Sequence, residues 1–447
     1  MRDDQRSAAE KFRRLRLCCS HSSCNYTALT KGGTMGASLA HIRKEFPALR
    51  DKTFFDSAGV GIAPRSAVGA IREFLDQTMV APVRSMVDHH LAIDAAREKA
   101  RPEAARLIGA SEDEIAIIES TTHGLSIAAR ALPLEPGDNI VTTDLEFIAV
   151  PLAWRQPNSG ICPQIRVAKN KDGELPLSSF EEVIDGRTKA VVISSVQWSN
   201  GYFCDLEGIS KLCSQSGVLL IVDAIQQLGA FPLDVSKVPV DIVVCGGHKW
   251  LNAPFGAGFM YIRKGISDKL RRPVAGYLSL EAPLGGWGTY FETPSITPLQ
   301  PVEFSHKARD YENGGTANYP GGIGLAASLH MINELGKAVI EEQIRTVTNY
   351  LLEGLETLRM NVVTPRPPVN RSGIIAMGFP GSPHKDIELK EHLLDRKILV
   401  AVRYTSNVGG VRVSCHFYNN KSDVDRLLNA VEDYLARNSE LALASPQ

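Results

Sequence analysis

Between Glu114 and Arg263 the chain repeats one pattern: a short apolar run, a polar turn, a helical stretch, then another apolar run. "EIAIIES", "NIVTTD", "AVVISSVQWS", "VLLIVDA", "DIVVCGG" and "GAGFMYIR" are too uniformly apolar to keep one face in water. "STTHGLSIAARAL" and "GISKLCSQSG" carry helical spacing between them. Parallel strands need long crossovers, and sheets covered on both faces need strands without a polar side. The pattern therefore predicts an α/β fold built on a mainly parallel sheet flanked by helices.

The flanks add detail. Ala40 to Leu49 predicts a short amphipathic helix, and "KTFFDSAGVGIAPRS" a strand entering a Gly-rich turn. Arg65 to Ile108 reads as mostly helical, and 265–301 as loop. Helical patterns resume from Gly322 to Met360. Ser372 to Ala436 mixes strands ("GIIAMGF", "ILVAVR", "GVRVSCHF") with helices, a second and smaller α/β domain. The expected division is a tail over 1–38, a segment over 39–53 packing on the small domain, a large domain over 54–311 and a small domain over 312–447.

Composition excludes several function classes. The formal net charge is -1, which gives no electrostatic case for nucleic acid or a membrane surface. No apolar run approaches the ~20 residues of a membrane helix. The eight cysteines are sparse in the body of the chain, which suits a reducing, cytoplasmic setting. "CCSHSSC" (Cys18 to Cys24) lacks paired CxxC spacing, so no metal site is expected. "GVGIAP" ends on Pro64 where a dinucleotide fingerprint needs glycine or alanine.

A parallel sheet binds ligands beyond the carboxyl ends of its strands. Thr121 and Thr122 follow one strand and open a helix, whose free N–H groups favour a phosphate. Asp144, Glu146 and Phe147 follow another, Asp223 and Gln226 a third, His248 and Lys249 a fourth. A lysine at the mouth of an apolar sheet either snorkels to the surface or loses its proton to act as nucleophile or base, and its neighbours decide between the two. Pyridoxal phosphate requires this company: a lysine for its aldehyde, a carboxylate for its ring nitrogen and donors for its phosphate.

"VDAIQQLGAFPLDV", followed by "DIVVCGGHKWLNAPFGAGFMYIR", resembles the class V aminotransferase family of fold-type I pyridoxal-phosphate enzymes, relatives of isopenicillin-N epimerases and cysteine desulfurases. The resemblance spans about residues 40 to 436 by coarse pattern. It implies a large domain with a seven-stranded type of sheet and a smaller C-terminal α/β domain. It implies that Lys249 carries the cofactor as a Schiff base and moves protons at Cα through a quinonoid intermediate. Asp223 would pair with the pyridine nitrogen, and Gln226 would donate to the ring hydroxyl. Phe147 would lie over the ring. Thr121, Thr122 and His248 would hold the phosphate. "YENGGTANYPGG" resembles a segment given by a partner subunit, with Thr316 reaching the phosphate across a homodimer. Arg412 would take the substrate carboxylate.

Departures from the family pattern shape the expected reaction. Gly246 stands where a serine is common, and Trp198 where an asparagine is. The stretch "RYTSNVGGVR" (Arg403 to Arg412) is short and holds no cysteine, where desulfurases carry a sulfur acceptor; Cys415 reads as core. The implied activity is transformation of a small amino acid, foremost by transamination. The alternatives are Cβ–S or Cβ–X elimination, epimerisation, or a catalytically silent binding protein on the same fold. The side-chain pocket is expected between the Gly59–Pro64 turn, Trp198 and the Gly276–Tyr290 loop.

Overall fold

A computed structural model describes residues 35–82, 85–155 and 161–438. Cys18, Cys19 and Cys24 lie outside the described residues. The chain forms two compact units, Met1–Ile42 and Arg43–Gln447. The described part of the first is helix α1 (Met35–Ile42). The helix expected over Ala40 to Leu49 is thus displaced. Single 3-10 turns, Arg43–Glu45 and Pro47–Arg50, follow instead, because Pro47 has no N–H to continue a ladder.

The second unit is built on a seven-stranded sheet in the order β2-β8-β7-β6-β5-β3-β4. Its strands are β2 (Ile115–Ile118), β3 (Asn139–Thr143), β4 (Gln164–Ala168), β5 (Thr188–Ser194), β6 (Leu219–Asp223), β7 (Ile242–Gly246) and β8 (Gly258–Ile262). Pairings among β3 to β7 are parallel, while β8 runs antiparallel to β7 and β2. The carboxyl ends of β3, β5, β6 and β7 therefore share one edge. Runs of Val, Ile and Leu suit these strands, which are buried throughout β2, β3, β7 and β8.

Two connecting helices show how the sequence sets their ends. Helix α2 (Thr121–Ala131) starts at Ser120, whose hydroxyl accepts from the His123 N–H at 3.1 Å, and packs on β2, β7 and β8. Helix α3 (Leu206–Ser216) is capped by Asp205, ends at left-handed Gly217 and packs on β6. Between Arg65 and Ile108 the chain forms three helices, Arg65–Val80, Met86–Glu98 and Ala100–Ile108.

Beyond Thr316 come α4 (Tyr319–Leu335) and α5 (Lys337–Thr357), then an antiparallel sheet ordered β12-β13-β10-β9. Here β9 is Asn361–Val362, β10 Ile374–Gly378, β12 Ala401–Thr405 and β13 Val408–Ser414. A two-residue turn joins β12 to β13. Ser406 and Asn407 both take positive φ, 48° and 63°, the conformation that matches strand twist in a tight hairpin. The expected strand "ILVAVR" is broken: β11 (Ile398–Leu399) pairs with β1 (Thr53–Phe54), and only Ala401 onward joins β13. A separate apolar core, including Val411, Val413, Leu389 and Leu427, lies under this sheet.

Candidate active site

A cavity of about 320 Å³ opens at the shared strand edge. Eight of the nine residues singled out from the sequence line it: Thr121, Thr122, Phe147, Asp223, Gln226, His248, Lys249 and Arg412. Thr316 does not. It is exposed, in a segment that follows Glu312, and Glu312 is clamped by Arg97, Arg101 and the Ile117 N–H.

Lys249 sits three residues past the end of β7, and Asp223 closes the neighbouring strand β6. Burial pulls the Lys249 amine down to about 8, and Asp223 opposes that pull. Burial pushes the Asp223 carboxyl up to about 6, while the Ile225 N–H at 3.0 Å and the Lys249 charge draw it back. The lysine backbone is held on two sides. Gly61 N–H donates to the His248 carbonyl at 2.7 Å, and a Cβ at Gly61 would stand 2.0 Å from the Lys249 carbonyl oxygen. Only glycine permits that approach. Below, His416 Nε2 meets the Trp250 carbonyl at 2.9 Å. Its Nδ1 accepts from Phe417 N–H, so the buried ring is neutral.

The amino end of α2 forms the opposite wall. Thr121 Oγ1 accepts from the Gly246 N–H at 2.8 Å. A Cβ at Gly246 would lie 3.1 Å from that oxygen, so the residue that replaces the common serine lets β7 close on α2. His248 stacks on Phe255, centroids 5.2 Å apart, and its ring is held below the ordinary imidazole range by burial and by Lys249. Gln226 is nearly committed: its amide donates to the Ala58 carbonyl at 3.1 Å and accepts from Trp250 Nε1 at 2.7 Å, leaving one N–H.

Phe147 meets Trp198 edge to face at 5.3 Å, and Lys249 Nζ lies 5.8 Å from the Phe147 centroid. The Trp198 indole N–H is buried without a hydrogen-bond partner. Glu146, next in sequence to Phe147, points into protein. It accepts from the Ser194 N–H at 2.7 Å, from Ser194 Oγ and from Gln197 Nε2, and burial pushes it up to about 7. Asp144 pairs with Lys169. Arg412 is 1% exposed and bound to Asp56 and the Trp198 carbonyl.

Sequence reasoning missed Arg403, Ser120 and Ser194, which also line the cavity. The Gly276–Tyr290 loop, expected there, is not among the lining residues; Tyr277, Trp287 and Tyr290 cluster with one another instead. Cys204, Cys245 and Cys415 are buried, and among the described residues no cysteine lines the cavity. Among the described residues no group of three or more His, Cys, Asp or Glu side chains could hold a metal ion. No described helix is long and apolar enough to cross a membrane.

The family model for aminotransferase class V matches residues 53–427. The chain belongs to the class V aminotransferase family. The "Probable cysteine desulfurase" of Pyrococcus abyssi is 28% identical over 405 residues, covering 88% of this chain and 96% of its own. The "Uncharacterized aminotransferase YcbU" of Bacillus subtilis is 26% identical, covering 87% and 96%. Among solved structures, the apo cysteine desulfurase of Thermococcus onnurineus aligns with a TM-score of 0.76 at 26% identity, covering 89% of this chain and 98% of that one. The parallel-sheet architecture of this class V chain is therefore that of fold-type I pyridoxal-phosphate enzymes.

Proposed function

We propose that this class V chain binds pyridoxal phosphate at Lys249 and transaminates a small amino acid. One observation carries the reading: a lysine with a lowered pKa and a buried carboxylate face one cavity at the carboxyl ends of adjacent strands. The residues present fit the cofactor. Lys249 offers an amine partly neutral near pH 8, Asp223 a carboxylate for the ring nitrogen, and Thr121 and Thr122 the open start of α2 for the phosphate.

Pyridoxal phosphate supplies an aldehyde that captures amines and a ring that takes up the electron pair left when a bond to Cα breaks. The chain does the rest. Lys249 Nζ holds and returns a proton at Cα. Asp223 keeps negative charge in place beside the ring nitrogen. Arg412 orients the carboxylate. Phe147 covers one side with a ring that carries no exchangeable proton. Epimerisation needs proton delivery from both faces, and on the Phe147 side the ring offers no proton, which favours transamination.

The names of the relatives favour a second reading, cleavage of a Cβ–S bond. Among the described residues no cysteine lines the cavity, which points this reading to substrates that bring their own leaving group. A homodimer is proposed as well, because Thr316 lies outside its own chain's cavity. The test is a panel of single amino acids with and without a keto acid, read for new keto acid, pyruvate, sulfide and inverted chirality. Amino-group transfer that depends on the keto acid supports the first reading; sulfide and pyruvate without it support the second.

A further inference from the structure

We infer that the small sheet carries a second binding site, a cavity behind strand β12 that takes a small quaternary ammonium ion. The inference does not rest on the proposed cofactor reading, because this cavity shares no lining residue with the lysine cavity.

The cavity measures about 530 Å³. It opens where the β12–β13 hairpin and the ends of β9 and β10 meet the start of helix α6 (Pro383–Asp395). Successive residues of a strand face opposite ways. On β12, Arg403 lines the lysine cavity and Tyr404, next in sequence, lines this one. One strand therefore walls both.

Asp386, in the first turn of α6, lines the cavity and is 3% exposed. Its oxygens accept from the Phe379 N–H at 2.9 Å and from the Tyr404 hydroxyl, both neutral donors. No lysine, arginine or histidine lines the cavity, and among the described residues none forms an ion pair with Asp386. Burial holds its carboxyl above the usual range, and the two hydrogen bonds and the charge of His384 draw it back only in part. A buried carboxylate without a countercharge is costly to keep.

A cationic ligand supplies the missing charge, whereas an anion would meet Asp386 with no cation beside it. Each carboxylate oxygen already accepts a hydrogen bond, so the site calls for charge more than for further N–H donors. The rest of the lining agrees. Phe379 and Tyr404 are aromatic, and aromatic rings attract ammonium groups. Val363, Pro380 and Pro383 offer apolar contact to methyl groups, and Asn407 adds an amide that suits a hydroxyl on the ligand.

The test is calorimetric titration of the full-length protein, at low salt, with choline chloride and with dimethylbutanol, its uncharged carbon isostere. Choline has no N–H and cannot form an imine, so an aldehyde at Lys249 does not compete for it. Choline should bind saturably and at least about tenfold more tightly than the isostere. Asp386→Asn keeps a hydrogen-bond acceptor without the charge and should weaken choline about tenfold. Tyr404→Leu removes a ring and should weaken it about fivefold. No saturable choline binding in wild type, equal affinity for the isostere, or unchanged binding in Asp386→Asn would each overturn the inference. The isostere comparison is made on wild type and holds whether or not Asp386→Asn folds. Cofactor attachment at Lys249 is measured separately, by borohydride trapping, so the two readings can fail independently.

Discussion

Arg412 Nη2 donates to Asp56 Oδ1 at 2.9 Å, so the arginine that faces the cavity already holds a carboxylate from its own chain. Asp56 precedes the turn that braces Lys249, and Arg412 lies on the strand that pairs with β10 and β12. Their ion pair ties the lysine side of the site to the small sheet. Replacing Asp56 with asparagine leaves a buried guanidinium uncompensated, a change that costs about 3 kcal/mol in comparable settings. Asp56→Asn should melt several degrees lower than wild type, and added propionate should restore more of its stability than of wild type's. Thermal denaturation with and without propionate measures both effects.

Glu146 gives a pH signature. Its carboxyl is raised from 4.5 to about 7 by burial, so the folded protein binds its proton more tightly than the unfolded chain does. That contribution is complete below pH 4.5 and is lost as pH rises through 7, a swing of about 3 kcal/mol. Glu146→Gln keeps the shape without the charge. Relative to wild type it should gain stability between pH 5 and pH 8 in urea denaturation; a constant difference across that range would contradict the buried-carboxyl account.

The Lys249 amine must be neutral to attack an aldehyde. With its pKa lowered to about 8, the rate of pyridoxal-phosphate uptake should climb and level off around pH 8. An exposed lysine would keep gaining up to pH 10. Stopped-flow absorbance from pH 6.5 to 9.5 separates the two profiles.

Asp223 is expected to matter for turnover more than for attachment. Asp223→Ala should still form a borohydride-trapped adduct but lose at least about 100-fold in kcat, since an unprotonated ring is a poor electron sink. Near-normal kcat would remove Asp223 from its proposed role.

The large sheet was legible because strands covered on both faces cannot hide their composition. β4 escaped notice: "QIRVA" alternates polar and apolar residues, as befits an edge strand that is only partly buried. The candidate site was legible where chemistry demands particular side chains at strand ends, which is why Lys249, Asp223 and the α2 threonines could be chosen. Arg403 was not, because a charged residue on a strand reads as a solvated face until the hairpin register sets it beside Arg412. The tight turn at Ser406-Asn407 sets that register. The Gly276–Tyr290 loop does not line its own chain's cavity; its aromatic side chains pack on one another, a preference no periodic pattern reveals.

The central claim is that the Lys249 amine binds a vitamin B6 aldehyde. Protein incubated with pyridoxal phosphate, reduced with borohydride and digested should yield one dominant phosphopyridoxyl peptide, modified at Lys249 and absent from Lys249→Ala. Modification spread over surface lysines, or none at all, would contradict the account.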